Sequence, residues 1–197
     1  RMIWKNGDSY EGQWRADEMD GQGTYRSHSG AVYVGNWRMG KMHGKGKRSM
    51  PDGLAYEGDW LDDVKQGQGT QVWPDGRAYV GQWRQGERTG GGTMTWKSGN
   101  HYGGQWLKGK AQGKGTFTWA DGSRYVGQWA ADMRQGLGSY TWPDGSVYEG
   151  QWQASQMHGK GRRAWKEGGW YDGQWVKGEM TGAGMRHHIP DLAAQDG

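Results

Sequence analysis

The sequence lacks cysteine altogether and has little of the aliphatic material that normally fills a protein core. Without cysteine, a disulfide framework and thiolate chemistry are both excluded, and a reducing compartment is favoured. Leu, Ile, Val and Phe together make up only about 8% of the 197 residues, well below the level typical of a globular core. No apolar run approaches the roughly 20 residues of a membrane-spanning helix, and no signal-peptide pattern is visible.

The charge balance excludes another class of protein. Lys and Arg (25) barely exceed Asp and Glu (21), which gives a net charge of +4 and a pI near 9.2. These values are typical of an ordinary solvated surface rather than of a nucleic-acid-binding face. We therefore predict no nucleic-acid partner.

What the chain has instead is glycine, tryptophan and tyrosine. Its 40 glycines and mean hydropathy of −1.12 would by themselves indicate disorder. However, the 15 tryptophans and 10 tyrosines stand mostly at fixed intervals, and each such ring buries roughly 150–250 Å² when it packs. Regularly placed rings favour a folded array with an aromatic core.

One segment organises the chain. Tyr10-Glu11-Gly12-Gln13-Trp14 returns every 23 residues with no insertion or deletion, so that eight copies follow one another. The later copies begin at Tyr33, Tyr56, Tyr79, Tyr102, Tyr125, Tyr148 and Tyr171. Self-similarity at one fixed period is the signature of a repeat architecture.

Within each copy the pattern predicts a β-hairpin. Tyr10, Gly12 and Trp14 lie at i, i+2 and i+4, which places them on one face of a strand, with polar residues on the other. The polar residues 15–20 predict a turn, and alternation resumes at Gly21-Gln22-Gly23. A turn of the Pro-Asp-Gly kind precedes the next copy in several repeats, because Pro presets φ and Gly accepts a positive φ.

These hairpins predict an all-β fold. We expect an elongated single-layer antiparallel sheet of tandem β-hairpins, about 75 Å long at a strand spacing of ~4.8 Å and gently twisted into a rod. Since a single layer has no second sheet to bury against, its rings must pack over its own glycines. Each repeat should then be stabilised mainly by its neighbours.

The motifs resemble the MORN (membrane occupation and recognition nexus) repeat family. Tyr56-Glu57-Gly58-Asp59-Trp60, Gly67-Gln68-Gly69 and Pro74-Asp75-Gly76 together closely match one family unit. The resemblance implies a ribbon of hairpins that acts as a scaffold or partner-binding platform in cytoskeletal, ciliary or junctional assemblies. Phospholipid binding has also been proposed for the family, and some members carry an appended lipid kinase or methyltransferase domain.

The repeats set the predicted domain boundaries. We place the array of eight 23-residue MORN-type repeats at residues 2–185, preceded by the last strand of an earlier repeat at 2–5, with a C-terminal tail at 186–197. Since the chain starts at Arg1 and at once matches the end of a repeat, we expect it to be a fragment, or an ordered segment, of a longer protein.

Some copies depart from the pattern, and function is expected where copies differ. Ser27 and Met50 stand where later copies end the second strand with tryptophan, and Trp170 adds a ring to the last copy.

Signatures of catalysis are weak. Residues 35–41 and 104–110 spell the front of a phosphate-binding loop, but neither the Ser/Thr nor the helix that such a loop requires follows. His43 and His158 lie five repeats apart, about 48 Å, too far to share a metal, and the adjacent pair His187-His188 has no further ligand nearby. The turn aspartates are typical of Asx caps. We predict no catalytic, cofactor or metal site, and no enzyme.

The aromatic side of the predicted sheet is the candidate groove for a partner helix or strand. Its residues are Tyr33, Trp37, Tyr56, Trp60, Tyr79, Trp83, Tyr102, Trp106, Tyr125 and Trp129. Two basic clusters are the candidate contacts for an acidic partner or an anionic lipid surface. They consist of Lys41, Lys45, Lys47 and Arg48, and of Lys160, Arg162 and Arg163.

We therefore predict a non-enzymatic scaffold for protein–protein interaction in a cytoskeletal, ciliary or membrane-associated assembly of the cytoplasm. Its partners would be other proteins, which dock on the aromatic face or pair with an edge strand, or further copies of the chain in a homo-oligomer. The alternatives are a peripheral module that binds phosphoinositide or another acidic phospholipid, and the regulatory repeat region of a larger enzyme such as a lipid kinase.

Overall fold

The computed structural model describes residues 1–187, which form β-strands joined by short turns. Within this range there are seventeen strands and no helix, and hence no helix that could cross a membrane. The strands are β1 (Met2–Ile3), β2 (Ser9–Arg15), β3 (Glu18–Arg26), β4 (Val32–Arg38), β5 (Lys41–Ser49), β6 (Ala55–Leu61), β7 (Val64–Val72), β8 (Ala78–Arg84), β9 (Glu87–Thr95), β10 (His101–Leu107), β11 (Lys110–Thr118), β12 (Arg124–Ala130), β13 (Met133–Thr141), β14 (Val147–Gln153), β15 (Gln156–Ala164), β16 (Trp170–Val176) and β17 (Glu179–His187).

The chain divides into two compact units, and in each of them strands pair antiparallel with their neighbours in sequence. The first unit comprises residues 1–97 and 106–109, and the second comprises 98–105 and the described residues from 110 onward. In the first unit, Gly23 of β3 lies opposite Gly35 of β4. In the second, Gly115 of β11 lies opposite Gly127 of β12. The predicted all-β array of antiparallel hairpins is confirmed.

The turn inside each hairpin is shorter than the sequence predicts. A turn is expected over residues 15–20, whereas β3 already begins at Glu18, so that only Ala16 and Asp17 turn. Both have positive φ, 48° and 63°, as in a type I′ turn, whose twist matches that of the flanking strands. The prediction was wrong because an exposed polar strand end has the same composition as a loop.

A β-bulge interrupts most of the described hairpins just before the tryptophan of the first strand. In the first repeat the pairing register shifts between Gly12 and Trp14, which leaves Gln13 without a partner in the ladder. The Tyr10 hydroxyl donates a hydrogen bond to the Gln13 carbonyl oxygen at 3.0 Å. The side-chain Oε1 of Gln13 accepts a second one, 2.7 Å long, from the backbone N–H of Gln22. Tyrosine and glutamine therefore supply the hydrogen bonds that the bulge removes from the ladder.

Aromatic rings packed over glycines form the core. The Tyr10 ring lies so close above Gly23 that a Cβ at that glycine would overlap it. The indole N–H of Trp37 donates to the Gly23 carbonyl oxygen at 3.2 Å, and so ties this tryptophan to the preceding repeat. The same bond recurs from Trp175 to Gly161 at 2.9 Å. Each glycine thus makes room for one ring and hydrogen-bonds another.

The turn tips add a further link between consecutive repeats. The backbone N–H of Gly40 donates to the Met19 carbonyl oxygen at 3.0 Å, and that of Ser155 donates to the Arg134 carbonyl oxygen at 3.0 Å. These bonds extend the contact between neighbouring hairpins beyond the strand ladder.

The first and last described strands can be compared with the predicted boundaries of the array. Strand β1 lies inside the segment 2–5 and pairs with β2, with Met2 opposite Tyr10. Strand β17 runs through Arg186 and His187, the first two residues of the predicted tail. The rest of that tail, 188–197, lies outside the described residues.

Candidate functional site

The tyrosine and tryptophan rings line one side of the strands, here termed the aromatic face, in an alternating ladder within each unit. Tyr33 meets the ring of Trp37 edge-on at 4.9 Å and that of Trp60, in the next repeat, at 5.7 Å. Tyr125 stands in the same way between its own tryptophan and Trp152, both at 5.2 Å. Edge-to-face pairs at this distance contribute about 0.5–1.5 kcal/mol each beyond their burial.

Burial disfavours ionisation of the Tyr33, Tyr125 and Tyr148 hydroxyls. It raises the pKa of Tyr125 and Tyr148 to about 12, and it raises the pKa of Tyr33 further. A neutral phenol is a hydrogen-bond donor, which is the form that the bulge carbonyls require.

The ten rings predicted to line a partner groove are deeply buried, with exposed fractions of 0 to 7%. The set comprises Tyr33, Trp37, Tyr56, Trp60, Tyr79, Trp83, Tyr102, Trp106, Tyr125 and Trp129. Because they pack against one another and over glycines, they form the floor of the aromatic face. A partner would first meet the side chains that lie above this floor.

Three of the cations in the layer above the floor occupy one position of the repeat. The Nζ of Lys65 lies 4.8 Å from the Trp83 ring, and the guanidinium of Arg134 lies 4.5 Å from the Trp152 ring. The guanidinium of Arg88 is likewise placed over the aromatic face of the first unit. Burial lowers the pKa of Lys65 and of Arg134, and both cations lie within cation–π distance of the rings beneath them.

The sequence interpretation missed these cations because a hydropathy pattern treats Lys and Arg as solvent-exposed. A signal was present in the repeat column itself. The position of Lys65, Arg88 and Arg134 is occupied by methionine in four other copies, Met19, Met42, Met157 and Met180. A column that alternates between methionine and long cations indicates a stem that packs on an apolar surface.

A second column of the aromatic face is filled by tryptophan in later repeats. Trp142 packs against Tyr140 at 4.8 Å and under the guanidinium of Arg163 at 4.3 Å. Trp119 packs against Tyr140 of the next repeat at 5.3 Å. The equivalent residues of the first two repeats are Ser27 and Met50, which supply no ring.

Two cavities open where those tryptophans are missing, and both lie in the first unit. Cavity A, about 440 Å³, is lined by Tyr25, Ser27, Tyr33, Trp37, Met42 and Arg48. Cavity B, about 320 Å³, is lined by Arg48, Met50, Tyr56, Trp60, Lys65 and Gln71. Each of the six residues of cavity A has its counterpart 23 positions later in cavity B. The cavities are therefore equivalent sites in consecutive repeats.

The two cavities share one cation, Arg48. Within the described residues, no carboxylate forms an ion pair with it. Lys65 donates a hydrogen bond to Gln71 and lies over the rings of Tyr56 and Trp83. The acidic side chain at the rim, Asp63, accepts a hydrogen bond from the Met42 backbone N–H at 2.8 Å. The local charge is thus positive, on a mostly aromatic and methionine-lined floor.

The first predicted basic cluster does not form one surface. Lys45 and Lys47 lie on the opposite side of the strands, here termed the polar face, where Lys45 pairs with Asp59 at 2.6 Å and Lys47 with Glu57 at 3.5 Å. Arg48 points to the aromatic face and lines the cavities. Lys41, at the start of β5, is exposed. Acidic neighbours on the next strand offset the charge on the polar face.

The second cluster is split in the same way. The Arg163 guanidinium lies between Trp142 and Trp165 on the aromatic face, at 4.3 and 5.1 Å from their rings. Arg162 lies over Trp170 at 4.8 Å, and its register partner on β16 is an aspartate. Lys160 is exposed. Neither cluster gathers its cations into a single patch.

The residues considered for catalysis have local structural partners. Asp121 accepts hydrogen bonds from the backbone N–H and the hydroxyl of Ser123, as an Asx cap does. His43 pairs with Asp62 at 3.1 Å, and His187 stacks on Trp170, while His188 lies outside the described residues. Within residues 1–187, no three acidic or histidine side chains gather as metal ligands would.

Comparison with protein families gives one result over nearly the whole chain. The model described as MORN repeat matches eight times, at residues 10–32, 33–55, 56–76, 79–101, 102–124, 125–147, 148–170 and 171–187. A comparison with curated proteins finds no match.

Solved structures show only a distant likeness. The TCP domain of Drosophila melanogaster SAS-4, in complex with a proline-rich motif of Ana2, is 8% identical, with a TM-score of 0.43 over 66% of this chain and 73% of that one. The TCP10 domain of Danio rerio CPAP is 14% identical, with a TM-score of 0.34 over 88% and 92%. The same zebrafish domain with a STIL peptide is 16% identical, with a TM-score of 0.30 over 86% and 85%. At these values nothing about partners follows.

Proposed function

Because the chain belongs to the MORN repeat family, we propose that it is a non-enzymatic scaffold that holds another protein on the aromatic face of its first three repeats. The observation that carries this proposal is the pair of equivalent cavities, A and B, in consecutive repeats. They provide concave, mainly apolar surface with a few polar groups, which is the usual character of a binding site.

The floor of the cavities is suited to binding because it is already ordered. Tyr33 and Tyr56 are held by hydrogen bonds to the bulge carbonyls, at 2.9 and 3.0 Å. A preorganised floor loses little conformational entropy when a partner binds. Met42 and Met50, which are half-buried, can adjust to the shape of the partner because the methionine side chain is unbranched and polarisable.

The positions of the basic residues favour a protein partner over an acidic lipid surface. A flat anionic membrane attracts cations that lie together on one face. Here Lys45 and Lys47 are paired with carboxylates on the polar face, while Arg48 lies on the aromatic face. We place the scaffold in a cytoskeletal, ciliary or membrane-associated assembly of the cytoplasm, as its family resemblance suggests.

The test is a face-resolved photo-crosslinking experiment. A photoreactive amino acid replaces Met50, on the aromatic face, or Val34, which is 50% exposed and lies beside Lys45 and Lys47 on the polar face. After irradiation in cells that express the protein, adducts are isolated and identified by mass spectrometry. We expect one or a few proteins to be crosslinked from Met50 and not from Val34.

Two outcomes would contradict the proposal. One is a strong adduct from Val34 with none from Met50, which would move the interaction to the polar face. The other is the recovery of phospholipid adducts alone, which would support the membrane-surface alternative. Light scattering on the purified chain separates adducts with a partner from adducts between copies of the chain.

A further inference from the structure

The spacing of the two cavities restricts the shape of what they bind, an argument that rests on the proposed function. Equivalent positions in consecutive hairpins are two strand spacings apart, roughly 9.6 Å. Two turns of an α-helix, from residue i to i+7, advance about 10.5 Å. Side chains on one face of an extended strand recur at about 6.7 or 13 Å. A helix laid across the strands therefore matches cavities A and B better than an extended peptide does.

The missing tryptophans indicate which side chains would fill the cavities. In the sixth repeat Trp142 occupies the position of Ser27 and lies 4.3 Å from Arg163, which occupies the position of Arg48. A large apolar or aromatic side chain of a partner in cavity A would lie against Arg48 in the same manner. Cavity B is the equivalent site one repeat later, above Tyr56 and Trp60, with Gln71 in the position of Arg48.

The shared cation indicates the charge of the partner. Arg48 lines both cavities and so lies between the two anchoring positions. Residues i+3 and i+4 of a helix lie on the same side as i and i+7, and an acidic residue there would face Arg48. Such a residue would also offset the repulsion between Arg48 and Lys65, which, after burial, lowers the pKa of Lys65.

We infer that the partner presents an amphipathic helix with two large apolar side chains at i and i+7, seated in cavities A and B, and an acidic side chain between them that pairs with Arg48. The first three repeats bind this helix because Ser27 and Met50 leave room that tryptophan fills in later repeats.

The probe is a phage-displayed library of helical peptides, randomised along one face and selected on the full chain. We expect enriched peptides to carry aromatic or large aliphatic residues at i and i+7 and Asp or Glu at i+3 or i+4. An enriched peptide is then synthesised and its dissociation constant is measured by isothermal titration calorimetry.

Variants test the location. Ser27→Trp and Met50→Trp introduce the residue that the chain itself carries in later repeats, and we expect the doubly filled protein to bind the peptide at least about tenfold more weakly. Val34→Trp adds the same ring on the polar face and should leave the affinity unchanged. Arg48→Gln should weaken the binding of the acidic peptide. It should have little effect on the affinity for a peptide in which the acidic residue is replaced by glutamine. Melting curves report whether each variant is folded.

The inference is overturned if selection enriches no peptide, if the enriched peptides carry apolar residues at the spacing of an extended strand, or if the filled variant binds as tightly as the parent. If the filled variant fails to fold, the Arg48→Gln comparison decides, and equal loss with both peptides would count against the acidic contact. If photo-crosslinks from Met50 to a partner protein are nevertheless observed, the proposed scaffold function is retained. Only the inference of a helix bound in cavities A and B is then rejected.

Discussion

At the scale of the residue, the two glycines of each Gly-x-Gly motif are required for different reasons. The first, such as Gly90, adopts a positive φ of 55°. The second, such as Gly92, has an ordinary φ but lies beneath the ring of Tyr79, where a Cβ would collide. Between them this copy has a third glycine, Gly91, with ordinary φ and open space around its Cα. Of these three adjacent glycines, one is required by its backbone conformation, one by the ring above it, and Gly91 by neither.

The first prediction concerns these glycines. We expect Gly92→Ala to lower the free energy of unfolding by more than about 2 kcal/mol, because the Tyr79 ring must be displaced from its packed position. Gly91→Ala serves as the matched control and should be neutral or stabilising by up to about 1 kcal/mol, since it removes conformational freedom from the unfolded chain. Urea unfolding followed by tryptophan fluorescence measures both. Equal effects of the two substitutions would show that the ring does not require the bare glycine.

The sequence predicts some of these roles and misses others for physical reasons. Alternation correctly places Tyr10 and Trp14 on one face, since their rings meet at 5.1 Å. It assigns Gln13 to solvent, yet the Gln13 side chain bonds the backbone nine residues later. A polar residue beside a bulge and one facing water look alike in a sequence, because the bulge itself is invisible there. The packing of Lys65 on the aromatic face is missed for a related reason. A hydropathy pattern registers the charge of lysine and not its apolar stem.

At the scale of the element, the hairpin depends on a two-residue turn that has glycine at its second position in only four of the eight repeats. Type I′ turns favour Asn-Gly, since both central residues have positive φ. In the sixth repeat the turn is Ala131-Asp132, with φ of 49° and 71°. The Asp132 carboxylate accepts a hydrogen bond from the Ala111 backbone N–H at 2.7 Å, which links the turn to the preceding repeat. The turn thus accepts backbone strain and makes a contact between repeats.

The second prediction separates these two effects. We expect Ala131→Asn to raise the free energy of unfolding by about 0.5 kcal/mol, because asparagine tolerates positive φ better than alanine. Asp132→Ala should lower it by about 1–2 kcal/mol, through loss of the hydrogen bond to Ala111. Asp132→Asn, which keeps an acceptor oxygen, is the control and should be nearly neutral. Thermal and urea unfolding measure all three. A loss with Asp132→Asn as large as with Asp132→Ala would assign the effect to charge instead.

The period of the sequence predicts the hairpin elements well, but it does not predict which side chains extend above the aromatic floor. It predicts the strands and their antiparallel order, because 23 residues hold two strands and two short turns and little more. Which side chains reach above the floor depends on volumes in neighbouring repeats. The contrast between Ser27 and Trp142 was visible in the sequence, but that the gap forms a cavity beside Arg48 follows only from the packed structure.

At the scale of the whole molecule, the buried tyrosines form one titrating set distributed over both units. Burial raises the pKa of Tyr79, Tyr125 and Tyr148 to about 12. In an unfolded chain each would titrate near the ordinary value of about 10. Between these values the folded protein retains protons that the unfolded chain releases.

The third prediction follows from the sign of this difference. The tyrosines contribute their full stabilisation below about pH 10, and because the folded state binds more protons, the free energy of unfolding should fall as pH rises from about 10 towards 12. Urea midpoints measured at about pH 8 and about pH 11 should show the loss, and tyrosinate absorbance should appear together with unfolding. Tyrosinate that forms near pH 10 while the circular dichroism stays unchanged would contradict it.

The bond from each turn tip to the preceding repeat has a consequence for how such a chain changes length. Gly40 reaches back to Met19, and Ser155 reaches back to Arg134, so the donor stands 21 positions after its acceptor in both cases. A genetic duplication or loss of 69 nucleotides, one period of 23 codons, restores every donor to an equivalent acceptor. An indel within the array that is not a whole multiple of this length shifts a turn away from its acceptor. Recombination between homologous copies can therefore change the number of repeats, while each new junction keeps a complete set of hydrogen bonds. The length of the array can thus change during evolution in whole repeats.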